Sequence, residues 1–90
     1  TEKKVYVGKG MKYFSKLGVA EFAIEASEIS VGDKLLITGP TTGVMYLDAT
    51  EIRYDLKPVD TAKQGWRVSI PVPDKVRPSD KLFKLEQQGE

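Results

Sequence analysis

Val31-Gly32-Asp33-Lys34-Leu35-Leu36-Ile37 is a turn that feeds directly into an apolar strand, and Pro78-Ser79-Asp80-Lys81-Leu82-Phe83-Lys84-Leu85 repeats the device late in the chain. In each, a small or φ-tolerant residue and an Asp make the turn, and a Lys precedes the apolar run. The Asp side chain is expected to accept hydrogen bonds from the backbone amides just after itself. Two strands that begin in the same way are the punctuation of a small β protein, and the rest of the chain is read outward from them.

Upstream, Lys4-Val5-Tyr6-Val7-Gly8 alternates with a period of two and is rich in β-branched and aromatic residues, which predicts a first strand that Gly8 and Gly10 then interrupt. Alternation returns from Leu17 to Ala26, with Ala20, Phe22 and Ile24 on one face and Glu21 and Glu25 on the other. The segment between them, Gly10 to Lys16, predicts a hairpin turn. Ser27 to Ser30 is a polar link with Ile29 tucked inward.

Downstream of the Lys34 to Thr38 strand, Gly39-Pro40-Thr41-Thr42-Gly43 reads as a loop. Val44 to Leu56 predicts one long strand whose apolar phase changes: Met45, Leu47 and Ala49 are odd, whereas Ile52, Tyr54 and Leu56 are even. A bulge near Thr50 or Glu51 would reconcile the two phases. Lys57 to Gly65 reads as a helical turn closed by Gly65. Trp66, Val68, Ile70 and Val72 share one face of a fifth strand, with Pro71 and Pro73 on the other. Lys81 to Leu85 is the last strand and 86–90 a frayed polar tail. The fold expected is all-β: a small closed antiparallel six-stranded Greek-key barrel. Val7, Phe22, Ile24, Leu35, Ile37, Ile52, Val68, Ile70 and Leu82 are its predicted core.

Ninety residues suffice for one core, because a chain this short buries only ~60–65% of its unfolded surface. Residues 1–90 are therefore read as a single domain with an ordered core at about 4–85. A composition of 40% apolar and 30% charged residues is that of an ordinary globular chain. No apolar run approaches the ~20 residues of a membrane span, and no signal-peptide pattern is visible. With no cysteine there are neither disulfides nor thiolate metal sites, which suits a cytoplasmic location.

Catalysis is disfavoured by inventory, since the chain has neither His nor Cys. Ser15 and Lys16 are neighbours, but adjacent residues of a strand point to opposite faces and do not form a dyad. Glu25, Glu28 and Asp33 read as surface charge rather than a cation site. No catalytic residue, metal or cofactor is expected. The formal charge of +1 hides an asymmetry, for residues 1–20 carry +4 and the remainder −3. Within that basic segment lie Lys9, Lys12, Tyr13, Phe14 and Lys16, where either lysines track phosphates while rings stack on bases, or Tyr13 and Phe14 divide between core and surface and the lysines are solvated decoration of the hairpin. Trp66, entering a strand alone, is either a core lid or a docking anchor.

The runs Gly18-Val19-Ala20-Glu21, Val31-Gly32-Asp33-Lys34-Leu35, Thr50-Glu51-Ile52, Lys57 to Gly65 and Val76 to Leu82, in that order, resemble domain II of translational GTPases such as elongation factor Tu. No phosphate-binding loop accompanies them. Tyr13-Phe14-Ser15-Lys16-Leu17-Gly18-Val19-Ala20 is closer to the stand-alone elongation-factor-like proteins. It is also similar to the C-terminal barrel of the collagenase-like peptidase family, several members of which act in RNA hydroxylation. Trp66 and Ser79 depart from the GTPase pattern, which has Asp and Gly at those points. The resemblance implies a non-catalytic barrel that binds RNA or a ribonucleoprotein surface, and the residues' own chemistry makes Lys9, Lys12, Tyr13, Phe14, Lys16 and Trp66 the candidates for that contact. The alternative is a protein-docking accessory domain or subunit of a larger collagenase-like peptidase or RNA-modifying enzyme.

Overall fold

The computed structural model describes residues 2–87. Ten strands are present: β1 (Glu2–Phe14), β2 (Val19–Ile24), β3 (Ile29–Ser30), β4 (Lys34–Gly39), β5 (Gly43–Asp48), β6 (Ile52–Tyr54), β7 (Lys57–Val59), β8 (Thr61–Ala62), β9 (Arg67–Pro71) and β10 (Lys81–Gln87). All pairings are antiparallel. Eight strands form one sheet in the order β5-β4-β10-β1-β2-β9-β6-β7, and β3 pairs with β8 in a separate two-stranded ladder.

The all-β expectation holds, but the closed six-stranded barrel does not. The large sheet has two ends, β5 and β7, and among the described residues no ladder joins them. The physical reason lies at 49–51, where the predicted long strand breaks in two. Ala49 is held to the first turn, its amide donating to the Asp33 carbonyl (2.9 Å) and its carbonyl accepting from Gly32 (2.8 Å). The chain then leaves β4 and, as β6, pairs with β7 and meets β9 at Arg53 opposite Ser69. The change of apolar phase was a change of sheet neighbour rather than a bulge within one strand.

Bulges do occur in β1. Its register shifts between Tyr6 and Gly8 against β10 and between Gly10 and Lys12 against β2. The two glycines bend the strand instead of ending it. A Cβ at Gly8 would fall on the carbonyl of Ala23, so only glycine lets β2 approach so closely.

The inward faces meet in one core built from Val7, Phe22, Ile24, Leu35, Ile37, Ile52, Val68, Ile70, Leu82 and smaller neighbours, each predicted core residue at most 1% exposed. Burial of the alternate residues of β2 and β9 follows the period of two that defines a strand with one wet face. Ile29 is fully buried as expected, although the link that carries it is β3.

The helical turn expected at 57–65 is absent: those residues supply β7 and β8, and Gly65 lies in a turn with φ 92°. Leu56, expected inward, is 90% exposed with φ 67°, beside Asp55 with φ 54°. Two successive positive φ values make a two-residue type I′ connection between β6 and β7. That geometry turns Leu56 out of the strand phase. β10 continues through Gln87, so 86 and 87 are strand and 88–90 of the expected tail lie outside the described residues. No helix among the described residues is long and apolar enough to cross a membrane.

The two Asp turns match each other in detail, with the reverse of the expected polarity. Asp33 accepts from the amide of Ser30 (2.8 Å), and Asp80 from that of Arg77 (3.0 Å), in each case three residues before itself. The Asp amides complete both turns by donating to the same residues' carbonyls, at 3.0 and 3.1 Å. The third residue has a positive φ in both, Gly32 at 98° and Ser79 at 74°. Asp80 is 2% exposed and also accepts from the Thr42 hydroxyl, which ties the β4–β5 connection to the start of β10.

Candidate docking site

The register places three cross-strand rows on the outer face of β1, β2, β9 and β6. The first is apolar: Phe14 lies opposite Val19, and Val19 opposite Pro71. The second is polar, running Lys12, Glu21, Ser69, Arg53. The third runs Lys9, Ala23, Arg67. β6 meets β9 at one position and then diverges, and this divergence opens a groove of about 580 Å³ along the first two rows. Two hairpin tips rise beside it, bearing Leu17 (74% exposed) and Leu56 (90% exposed). Phe14, Leu17, Val19, Leu56 and Pro71 give the groove apolar walls, while Glu21, Glu51, Arg53, Asp55 and Arg67 line it with both signs of charge, a mixture that a partner of matching polarity can cover.

Within the groove Arg53 Nε donates to Glu51 Oε2 at 2.9 Å, an exposed pair that contributes little to stability. Its worth lies in holding the guanidinium against the groove wall. Arg67 and Glu21 line the same wall, on neighbouring rows.

The residues expected to bind RNA or a partner are divided by the fold. Lys9, Lys12 and Phe14 lie on the outer face of β1, whereas Tyr13, opposite buried Ala20, packs against the core. Lys16 is exposed in the turn that follows β1. The Lys12 ammonium sits 5.2 Å from the Phe14 ring centroid, a cation–π contact on one strand face. Trp66 stands apart from this hairpin. It stacks on Tyr54 with centroids 3.9 Å apart and planes 12° apart, half-buried over the core.

The positive charge of the hairpin is partly answered in place. Lys9 Nζ is 3.7 Å from Glu25 Oε2, and Lys12 lies directly across from Glu21. Glu25 also accepts from the Tyr6 hydroxyl at 2.6 Å. That hydrogen bond, with a smaller contribution from burial and from the carboxylate's charge, raises the Tyr6 phenol above its ordinary value.

Leu17, Leu56, Arg53 and Arg67 escaped the sequence reading. Leu17, alone among Ser, Lys and Gly, carried a usable signal as an apolar residue at a turn. Leu56 was hidden because Tyr54-Asp55-Leu56 continues an apparent alternation that the type I′ turn interrupts. No cluster of acidic, His or Cys side chains able to hold a metal occurs among the described residues.

No family model matches the chain. It is similar to a collagenase of Porphyromonas gingivalis, at 58% identity over 90 residues, covering all of this chain and 22% of that protein. An uncharacterized protease of Methanocaldococcus jannaschii is 29% identical over 85 residues, which make up 94% of this chain and 21% of that one. The chain thus spans about a fifth of the length of the curated relatives it matches. Among solved structures, the C-terminal domain of a Geobacillus thermoleovorans protein classed as a U32 peptidase superposes with a TM-score of 0.82 at 17% identity, over 89% of this chain and 91% of that one. At that identity the likeness shows the fold alone. These relatives stand on the peptidase side of the resemblance read from the sequence, and its translation-factor side gains no support from them.

Proposed function

We propose that the chain is a non-catalytic docking domain of a larger collagenase-like peptidase, and that the groove between Leu17 and Leu56 receives the body of that protein. The observation that carries this reading is the 58% identity across the whole chain to a fifth of a collagenase. A segment that matches so small a share of its relatives has a large remainder beside which to work. The groove supplies the means, because two exposed leucines flanking an apolar row gain stability only when something covers them. The absence of His and Cys fits a domain that holds rather than cuts. RNA binding by the basic hairpin is the weaker reading, since Glu25 and Glu21 lie against two of its lysines.

The test is binding in trans. The Porphyromonas gingivalis collagenase lacking its matching segment is titrated with this chain by calorimetry. Binding is expected, and Leu17→Glu or Leu56→Glu should weaken it at least about tenfold with no change in melting temperature. No heat of binding to the peptidase, alongside RNA binding whose affinity falls steeply with salt, would overturn the proposal and restore the RNA reading.

A further inference from the structure

Among the described residues β5 is a free edge of the large sheet, paired with β4 and with no other strand. Its sequence, Gly43-Val44-Met45-Tyr46-Leu47-Asp48, contains neither Lys nor Pro. The opposite edge, β7, is guarded by Lys57 and Pro58, the residue types that blunt exposed edges. One edge is protected against strand addition and the other is not.

The outer face beside β5 is apolar. Tyr46 lies opposite Leu36, Leu36 opposite Phe83, and Phe83 opposite Tyr6, so four strands contribute one continuous aromatic and apolar row. Phe83 and Tyr6 meet edge to face at 5.8 Å, with the Lys4 ammonium 4.7 Å from the Phe83 centroid. The row ends at the free edge, where Tyr46 is 66% and Val44 63% exposed.

We propose that β5 pairs antiparallel with β5 of a second copy of this chain, about a two-fold axis that sets Tyr46 opposite Tyr46. In that register Met45 faces Leu47 and Val44 faces Asp48 in both directions. The strand's one charged residue therefore meets no like charge, and every inward contact is apolar. The two aromatic rows join end to end into one belt across both copies. A two-fold interface pairs one patch with itself, and β5 meets that requirement without opposing like charges. The inference goes beyond the docking reading and stands without it, because the groove and β5 lie at different parts of the sheet.

The chain's lack of cysteine makes the register directly testable. Directly opposite residues in an antiparallel pair have Cα atoms about 4.5–5.5 Å apart, within disulfide range. Tyr46→Cys should therefore crosslink to its own copy under mild oxidation. Val44→Cys should not, because its counterpart lies four residues along the strand, roughly 13 Å away at 3.4 Å per residue. Wild-type chain should sediment as a concentration-dependent dimer, and Tyr46→Lys as a monomer. A wild-type monomer at the highest soluble concentration would overturn the proposal, as would equal crosslinking of the two cysteine variants. Monomeric chain that becomes protected at β5 amides only when the larger peptidase is added would assign the edge to that polypeptide instead.

Discussion

Ser79 holds a backbone conformation that its counterpart Gly32 adopts freely. A non-glycine residue in the left-handed region carries about 1–2 kcal/mol of strain, partly offset by its smaller loss of chain entropy on folding. Ser79→Gly is therefore expected to stabilise the domain by about 0.5–1 kcal/mol, read as a rise in the urea midpoint with an unchanged slope. An unchanged or lower midpoint would mean that the Ser79 side chain contributes something that offsets the strain. Asp80 beside it shows why the turn persists despite the substitution. Its carboxylate accepts from Arg77 and Thr42 while its carbonyl accepts from the Gly10 amide at 2.7 Å, so three segments depend on one residue.

At the scale of elements, β1 is the strand on which the sheet depends, because it alone pairs with both β10 and β2. Gly8 sits where both ladders pass, opposite Leu82 on one side and Ile24 on the other. Gly8→Ala is expected to destabilise by about 1–3 kcal/mol, because the added methyl must displace the β2 backbone rather than a yielding side chain. Equilibrium unfolding in urea measures it, and a loss below the error of the method would refute the close approach. β1 also shows what was legible in the sequence. The phase of Val7, Phe22, Ile24, Val68 and Ile70 was plain, since alternation is a local property and burial follows it. The continuation of β1 past Gly8 was not, since a glycine that bends a strand and one that ends it look alike until the neighbouring strand is known. The same limit hid the split at Ala49, where a change of partner mimics a bulge, and the hairpin at Asp55-Leu56, where Asp suits a positive φ but Leu does not. The candidate groove was less legible still, because it is made by the divergence of β6 from β9, a distance that no single segment encodes.

Across the whole molecule, the ladder between β1 and β10 joins the two ends of the described chain, and the β10–β4 and β2–β9 ladders also pair distant segments. Loops of that length must close before their contacts stabilise anything, which places such topologies among the slow two-state folders. Refolding after urea dilution is expected on the millisecond-to-second scale, followed through Trp66, whose stack on Tyr54 forms only once β6 reaches the start of β9. Recovery of native fluorescence within microseconds would contradict this view of the stack. The same terminal ladder governs how the domain bears load. Glu2 lies across from Gln87, so both ends of the described chain leave from the same end of the central β1–β10 ladder. Tension applied through those two points opens the ladder from that end and strains its transverse hydrogen bonds in succession rather than all together. Pulled in this direction, the domain yields as a zip does, at low force, and would act as a compliant link between whatever bodies its two ends are tethered to.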